Sequence, residues 1–181
     1  MQVHNEKVES GFRGTIIDLE TIGTFDSRFD DSRRYTNIKP VIFGFIHSSG
    51  LEIHCAKAPN SIKRLNKKMD EIINSLARPF YAFNSNFERG VLFHTLGRKI
   101  NFEKELNAQT YEKKAHVVFQ LGIKQYDDPF NDDGKACMCA WEKGEIKKAI
   151  AHNRSCLLKE KDILLKRGCR DPDSMRFVKV D

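Results

Sequence analysis

The feature that most constrains the fold is a short run of β-branched and apolar residues, GTIIDLE at residues 14–20, which becomes acidic at its end. Such a run is typical of a buried strand. Asp18 and Glu20 are two residues apart, so in a strand their side chains project from the same face. Two carboxylates at a buried strand end repel each other, and a divalent cation such as Mg²⁺ or Mn²⁺ would remove that penalty. The alternative is a strand that reaches solvent at Asp18 and leaves Glu20 exposed.

The patterns that follow predict a sheet flanked by helices. A polar segment at about 24–39 is typical of a loop, and apolar runs at 40–48 and 51–57 predict antiparallel strands joined by a tight turn at Gly50. Helical spacing of apolar residues predicts helices at 61–76, 85–97 and 116–123, and two further helices at 138–153 and 154–168. An apolar run behind a proline predicts a strand at 78–84. This order indicates an α/β or α+β fold in a single domain over residues 1–181.

Composition and charge narrow the class of protein. The chain is 40% hydrophobic and 31% charged, which is typical of a soluble globular protein. No apolar run is long enough to span a bilayer and the N-terminus has no apolar signal core, so we expect a cytoplasmic protein without a membrane partner. We therefore expect the five cysteines to be reduced, with the closely spaced Cys137 and Cys139 as packed thiols. The net charge of +6 and the pI near 9.1 favour a polyanionic partner such as nucleic acid.

Two further stretches carry candidate functional residues. In AFNSNFERGVL the predicted strand ends at Asn84, and Glu88 falls on the first turn of the next helix, where a carboxylate is favoured by the helix dipole. In IAHNRSCLLKE, at residues 150–160, helical spacing places His152, Cys156 and Glu160 on one face. Each stretch also has a purely structural interpretation. Asn84 and Glu88 could be a helix cap and a favourable first-turn acid, and the face with His152 could be packed in the core.

The order of these motifs resembles that of the DEDD superfamily of 3′–5′ exonucleases over residues 15–165. The first motif of that family, Asp-x-Glu on the first strand, is matched by Asp18 and Glu20. Its second motif, Asn-x-x-Phe-Asp, is matched by NSNFE, with Glu88 in place of the usual aspartate. The resemblance implies a ribonuclease H-like mixed β-sheet flanked by helices. The later segments are also similar to a branch of predicted nucleases without a long, separate binding domain.

The third motif of the family, Tyr-x-x-x-Asp or its histidine version on a late helix, aligns with HNRSC. The resemblance implies a two-metal mechanism in which Asp18 bridges two divalent ions and Glu20 holds the first together with the third-motif residue. Glu88 would orient the second ion, and His152 would take a proton from the attacking water. Cys156 stands where the family has its aspartate. The implied cofactor is Mg²⁺ or Mn²⁺, and the implied substrate is the 3′ end of single-stranded DNA or RNA.

The cysteine at the aspartate position leaves three outcomes open, because a thiolate is a poor ligand for Mg²⁺. Glu160, one helical turn further on, could supply the missing carboxylate. Cys156 could instead bind a softer ion such as Mn²⁺, Fe²⁺ or Zn²⁺. Otherwise the site holds a single ion, or none tightly. Four loop acids could also approach the site, but the pattern favours ordinary turn acids: Asp127, Asp128, Asp132 and Asp133.

Expected substrate contacts are Asn84 and the loop residues Arg33, Arg34 and Tyr35, whose cations and aromatic ring suit phosphate contact and base stacking. A solvated loop is the alternative for these three. A rival function is a nucleic-acid-binding module with a catalytically weakened site on the same fold. A cysteine hydrolase with Cys156 as nucleophile and His152 as base is a third hypothesis, but the sequence shows no third group to orient the histidine.

Overall fold

The protein is described by a computed structural model that covers residues 1–179. Its centre is a six-stranded mixed sheet with the strand order β1-β4-β3-β2-β5-β6. The strands are β1 (Gln2–Glu6), β2 (Thr15–Ile22), β3 (Lys39–His47), β4 (Gly50–Cys55), β5 (Phe80–Ala82) and β6 (Lys104–Glu105). Helices flank this sheet, which confirms the predicted α/β class and is consistent with a ribonuclease H-like fold.

Strand β2 lies inside the sheet, between an antiparallel and a parallel neighbour. It pairs with β3 antiparallel, so that Asp18 lies opposite Gly44, and with β5 parallel. Because the first six residues of β2 are buried, its β-branched side chains form the middle of the core. Asp18 and Glu20 lie towards the C-terminal end of β2. Because β5 is parallel to β2, both strands end on the same side of the sheet.

Within residues 1–179, five α-helices lie between and after the last strands of the sheet. They are α1 (Ile62–Ile73), α2 (Ser85–Leu96), α3 (Lys114–Gln120), α4 (Gly134–Glu142) and α5 (Ile146–Arg167), with short 3-10 turns at Ser32–Tyr35 and Pro59–Ser61. Helix α5 packs on β2, β3 and β4, and α2 packs on β5 and on the first 3-10 turn. No helix within residues 1–179 is long and apolar enough to cross a membrane.

Most predicted elements are present, including the β3–β4 hairpin with Gly50 at φ 132° and the end of α2 at Gly97, where φ is 70°. The predicted break between the last two helices is wrong. It was placed between Asn153 and Arg154, but α5 runs unbroken through both, and the chain turns instead at Gly144, where φ is 79°. Strands β1 and β6 were not predicted.

Candidate metal centre

Three carboxylates of the predicted motifs come together at the end of β2. Asp18 and Glu20 lie on β2, Glu88 lies on the first turn of α2, and all three are buried. They line one cavity of about 230 Å³. The solvent-exposed alternative for the strand end is therefore wrong. Six of the predicted residues line this cavity: Asp18, Glu20, Asn84, Glu88, His152 and Cys156.

Helix α5 forms the opposing wall, and the predicted shared face is confirmed, since His152, Cys156 and Glu160 are all buried. The Nε2 atom of His152 lies 3.7 Å from the Oε1 atom of Glu20 and 3.7 Å from the Sγ atom of Cys156. One ligand atom each from Asp18, Glu20 and Cys156 lie within 4.8 Å of one another. That spacing is compatible with shared binding of one metal ion.

Asn153, next to the histidine, fixes the first carboxylate. Its Nδ2 atom donates to the Oδ2 atom of Asp18 at 2.6 Å. This close approach of α5 to the sheet depends on Gly44, because a Cβ atom there would lie 2.0 Å from the Oδ1 atom of Asn153. The polar residues that were interpreted as a helix end are thus buried contacts between α5 and β2.

The loop before α4 contributes a buried charge network that the sequence interpretation did not assign to the site. Asp128 accepts a hydrogen bond from Nδ1 of His152 at 2.7 Å and another from Nζ of Lys159 at 2.7 Å. Lys159 is fully buried and also donates to Asp132 at 2.9 Å. Asp128 and Asp132 are therefore more than turn acids, whereas Asp133 caps α4. Helical spacing was the available signal, since Lys159 lies seven residues after His152 on the same face.

A second cation, Lys114 at the start of α3, enters the carboxylate cluster. Its Nζ atom donates to Oε1 of Glu160 at 2.5 Å and to Oδ1 of Asp18 at 3.4 Å. Glu160 is fully buried and is thereby joined to the cluster through Lys114. No local sequence pattern marks Lys114, because its partners lie on β2 and α5.

The crowded carboxylates have strongly perturbed acidities. Burial raises the pKa of Glu20 to about 7, against the opposing effect of His152, and the charge of Asp18 adds to the shift. Burial raises the pKa of Glu160 to about 8, although Lys114 opposes it. Burial, and then the charges of Asp18 and Glu160, raise the pKa of Glu88 well above its usual range. A divalent cation would stabilise the ionised forms of all three.

Two buried oxygens support the fit of a cation. Oε2 of Glu88 and Oε2 of Glu160 have no hydrogen-bond partner within residues 1–179. A buried carboxylate oxygen without a partner is costly, and hard oxygen ligands suit Mg²⁺ or Mn²⁺. Asp18 and Glu20 therefore offer ligand atoms for a divalent ion, the Sγ atom of Cys156 lies within 4.8 Å of both, and Glu88 lines the same cavity.

Cys156 has an orienting network that resembles a catalytic triad in its connectivity, with Asp128 as the third group that the sequence had not revealed. Burial, opposed by Lys114 and reinforced by Asp18 and Glu20, raises the pKa of Cys156 well above its usual value. A nucleophilic cysteine requires a lowered pKa. Burial among the carboxylates, through this raised pKa, thus favours a protonated thiol over a thiolate nucleophile.

The other cysteines are free thiols, as predicted, within the described part of the chain. Cys137 is buried and Cys139 is half-buried. Unexpectedly, Cys137 on α4 also approaches the site, because its Sγ atom lies within 4.8 Å of ligand atoms of Glu20 and His152. Burial raises the pKa of this thiol, as it does for Cys156.

The predicted substrate contacts divide into two groups. Arg34 and Tyr35 line a second cavity of about 250 Å³, which shares Asn84 and Phe87 with the carboxylate cavity. The Arg34 guanidinium lies 5.4 Å from the centre of the Phe25 ring and 5.6 Å from that of Tyr35. The structure does not bring Arg33 to either cavity.

The local contacts of Arg33 explain its position. Its guanidinium forms hydrogen bonds to both carboxylate oxygens of Asp31 and lies over the ring of Phe29. These contacts hold it within its own loop.

Comparison of the chain with protein-family models, with curated proteins and with solved structures finds no match. The sequence motifs and the geometry of the site are therefore what bears on the function of the protein.

Proposed function

We propose that the protein is a metal-dependent nuclease that hydrolyses phosphodiester bonds of single-stranded DNA or RNA from the 3′ end. The observation that carries the proposal is the convergence of Asp18, Glu20 and Glu88, three buried carboxylates from two elements, on one cavity beside His152. The 3′–5′ polarity is supported by the order of motifs shared with the DEDD exonucleases.

Asp18, Glu20 and Glu88 would hold Mg²⁺ or Mn²⁺. A bound divalent ion supplies charge stabilisation of the scissile phosphate and lowers the pKa of water. Asn153 keeps the Asp18 carboxylate aimed at the cavity through its 2.6 Å hydrogen bond. The surrounding burial excludes bulk water, which strengthens electrostatic interactions with a phosphate.

His152 is the group placed to accept a proton from the attacking water. Asp128 binds its Nδ1 atom, which leaves Nε2 facing the cavity as the acceptor. Burial lowers the pKa of His152, but the hydrogen bond that His152 donates to Asp128 and the charge of Glu20 outweigh it and raise the pKa above its usual value. The base form is therefore favoured only when the pH exceeds this raised pKa, so alkaline conditions favour proton acceptance.

The neighbouring second cavity supports a single-stranded substrate. Tyr35 and Phe87 present aromatic surface there, Arg34 adds a cation, and Asn84 lies where the two cavities meet. Aromatic rings and an arginine suit an unpaired base and its phosphate. A nucleotide could thus occupy this cavity while the adjacent phosphate lies at the carboxylates.

The direct test is cleavage of end-labelled single-stranded DNA and RNA in Mg²⁺ or Mn²⁺, with either a free or a blocked 3′ end. We expect stepwise shortening from the free 3′ end and protection of the blocked strand. His152→Ala should lower the rate by roughly 10²-fold or more while the protein stays folded. Cleavage inside a blocked strand would contradict the polarity, and an unchanged rate in His152→Ala would remove the base assignment.

A second candidate is a nucleic-acid-binding module with a weakened site. Two specific observations favour it. Lys114 places a cation among the carboxylates where a metal ion is expected, and a protonated Cys156 stands where the third motif has a carboxylate. Retention of labelled strands without shortening in either ion would favour this module over the nuclease.

A further inference from the structure

The ammonium group of Lys114 occupies the space between two acidic elements of the site. It lies 2.5 Å from Oε1 of Glu160 on α5 and 3.4 Å from Oδ1 of Asp18 on β2. The Lys114 side chain is only 18% exposed, and its Nζ atom lies 5.7 Å from the centre of the Phe83 ring. A cation bridging two buried carboxylates has the position that a metal ion takes in a carboxylate cluster.

The charges of the cluster show why one ammonium is insufficient. Four carboxyl groups surround the region, those of Asp18, Glu20, Glu88 and Glu160, and when all four are ionised Lys114 supplies a single positive charge against them. The second oxygens of Glu88 and Glu160 also stay without hydrogen-bond partners within residues 1–179. One divalent ion, added to the ammonium group, would nearly balance the total negative charge of the carboxylates. A second divalent ion would compete with the ammonium group for the same oxygens.

We propose that Lys114 is a built-in cation that takes the place of one divalent ion, so that the site binds one metal ion beside one ammonium group. This inference rests on the proposed function for its metal site and changes the number of ions that the site holds. The metal ion occupies the side lined by Asp18, Glu20 and Glu88. Lys114 occupies the side between Asp18 and Glu160, where Glu160 serves as an ammonium partner.

The pairing also assigns a role to Glu160. Lys114 already donates a hydrogen bond to Oε1 of Glu160, so a divalent ion bound to the same oxygen would be repelled by the neighbouring ammonium group. Removing the ammonium without adding charge should therefore free a pair of carboxylates for a second ion. Lys114→Met does this, because methionine keeps an unbranched apolar side chain.

The test is the number of Mn²⁺ ions bound per chain, measured by equilibrium dialysis of the full-length wild type, Lys114→Met and Lys113→Met. Lys113 is the matched control because it is the exposed neighbour that precedes α3. We expect Lys114→Met to bind one more ion than the wild type, and Lys113→Met to bind the same number as the wild type. An equal number in Lys114→Met and wild type overturns the inference.

Thermal unfolding covers the case in which Lys114→Met folds poorly. Without metal its midpoint should fall, because Asp18 and Glu160 are left without a counterion, and saturating Mn²⁺ should raise it by more than in the wild type. Failure of Mn²⁺ to restore the fold overturns the inference. Strand cleavage measured on the same samples reports separately on the proposed function, since an added ion without any cleavage would support the role of Lys114 and refute the nuclease.

Discussion

Removal of the Asp128 carboxylate should destabilise the protein strongly. Asp128 joins the imidazole of His152 to the ammonium of Lys159, both at 2.7 Å, and its side chain is fully buried. In Asp128→Ala, the buried Lys159 keeps only Asp132, 2.9 Å away, as a partner. The variant therefore leaves the buried ammonium group of Lys159 with one carboxylate partner instead of two.

Breaking a buried ion pair by removing one partner costs about 3–5 kcal/mol of the free energy of unfolding. In a domain of this size, each kcal/mol lowers the midpoint of thermal unfolding by roughly 2–4 °C, so Asp128→Ala should lower it by roughly 6–20 °C. Circular dichroism during heating, without divalent ions, measures this shift. Urea unfolding gives the free energy independently.

The double variant Asp128→Ala with Lys159→Met tests the cause of that loss. It removes both charges, so it should be less destabilised than the sum of the two single variants. A midpoint for Asp128→Ala within about 2 °C of the wild type would refute the reasoning, because a shift that small corresponds to about 1 kcal/mol at most. Strict additivity in the double variant would also refute it.

Three further predictions concern the metal centre. Gly44→Ala should cost about 1–3 kcal/mol of stability and weaken Mn²⁺ binding, because its Cβ would meet Asn153 at 2.0 Å; wild-type affinity in this variant would be inconsistent with the packing argument. Cys156→Asp should raise Mg²⁺-dependent cleavage by restoring a hard ligand, and no increase relative to Cys156→Ser would rule out a ligand role. Without divalent ions, the unfolding midpoint should fall as pH rises from about 5 to about 8, since the raised pKa values of Glu20 and Glu160 make the folded state bind more protons than the unfolded state. Saturating Mn²⁺ should remove most of this fall, and a flat profile in the presence of a chelator would argue against it.

The strand that carries the first motif could be predicted because its information is local. Period-two placement of Asp18 and Glu20 and the first-turn position of Glu88 follow directly from the spacing along the chain. The shared face of His152 and Cys156 on α5 follows from helical periodicity in the same way. These local patterns were sufficient to predict residues that line the cavity, without any knowledge of the tertiary contacts.

The misplaced helix break shows where local patterns fail. The sequence analysis ended one predicted helix at Asn153 and began the next at Arg154, whereas a single helix, α5, runs through both residues. In the structure Asn153 binds Asp18 and Ser155 donates to the carbonyl of Tyr126, so these polar residues are buried with partners. Tertiary contacts of this kind override the hydrophobic pattern.

The partners of the site residues were hidden because they are distant in sequence. Lys114 lies 96 residues from Asp18 and 46 from Glu160. The sequence analysis predicted no element between residues 97 and 116, so the position of Lys114 over the sheet end could not be inferred. Similarly, Asp128 lies in a loop with the composition of an ordinary turn, and only the fold shows that it binds His152.

The central claim is that Asp18, Glu20 and Glu88 bind a divalent ion that the protein needs to cleave single strands. Calorimetric titration of Mn²⁺ into the wild type, Asp18→Asn and the surface control Glu71→Gln tests it most directly, with strand cleavage followed in the same solutions. We predict that the wild type and Glu71→Gln bind Mn²⁺ and shorten the strands, and that Asp18→Asn does neither. Equal Mn²⁺ binding by Asp18→Asn, or strands bound by the wild type and left intact, would contradict the account.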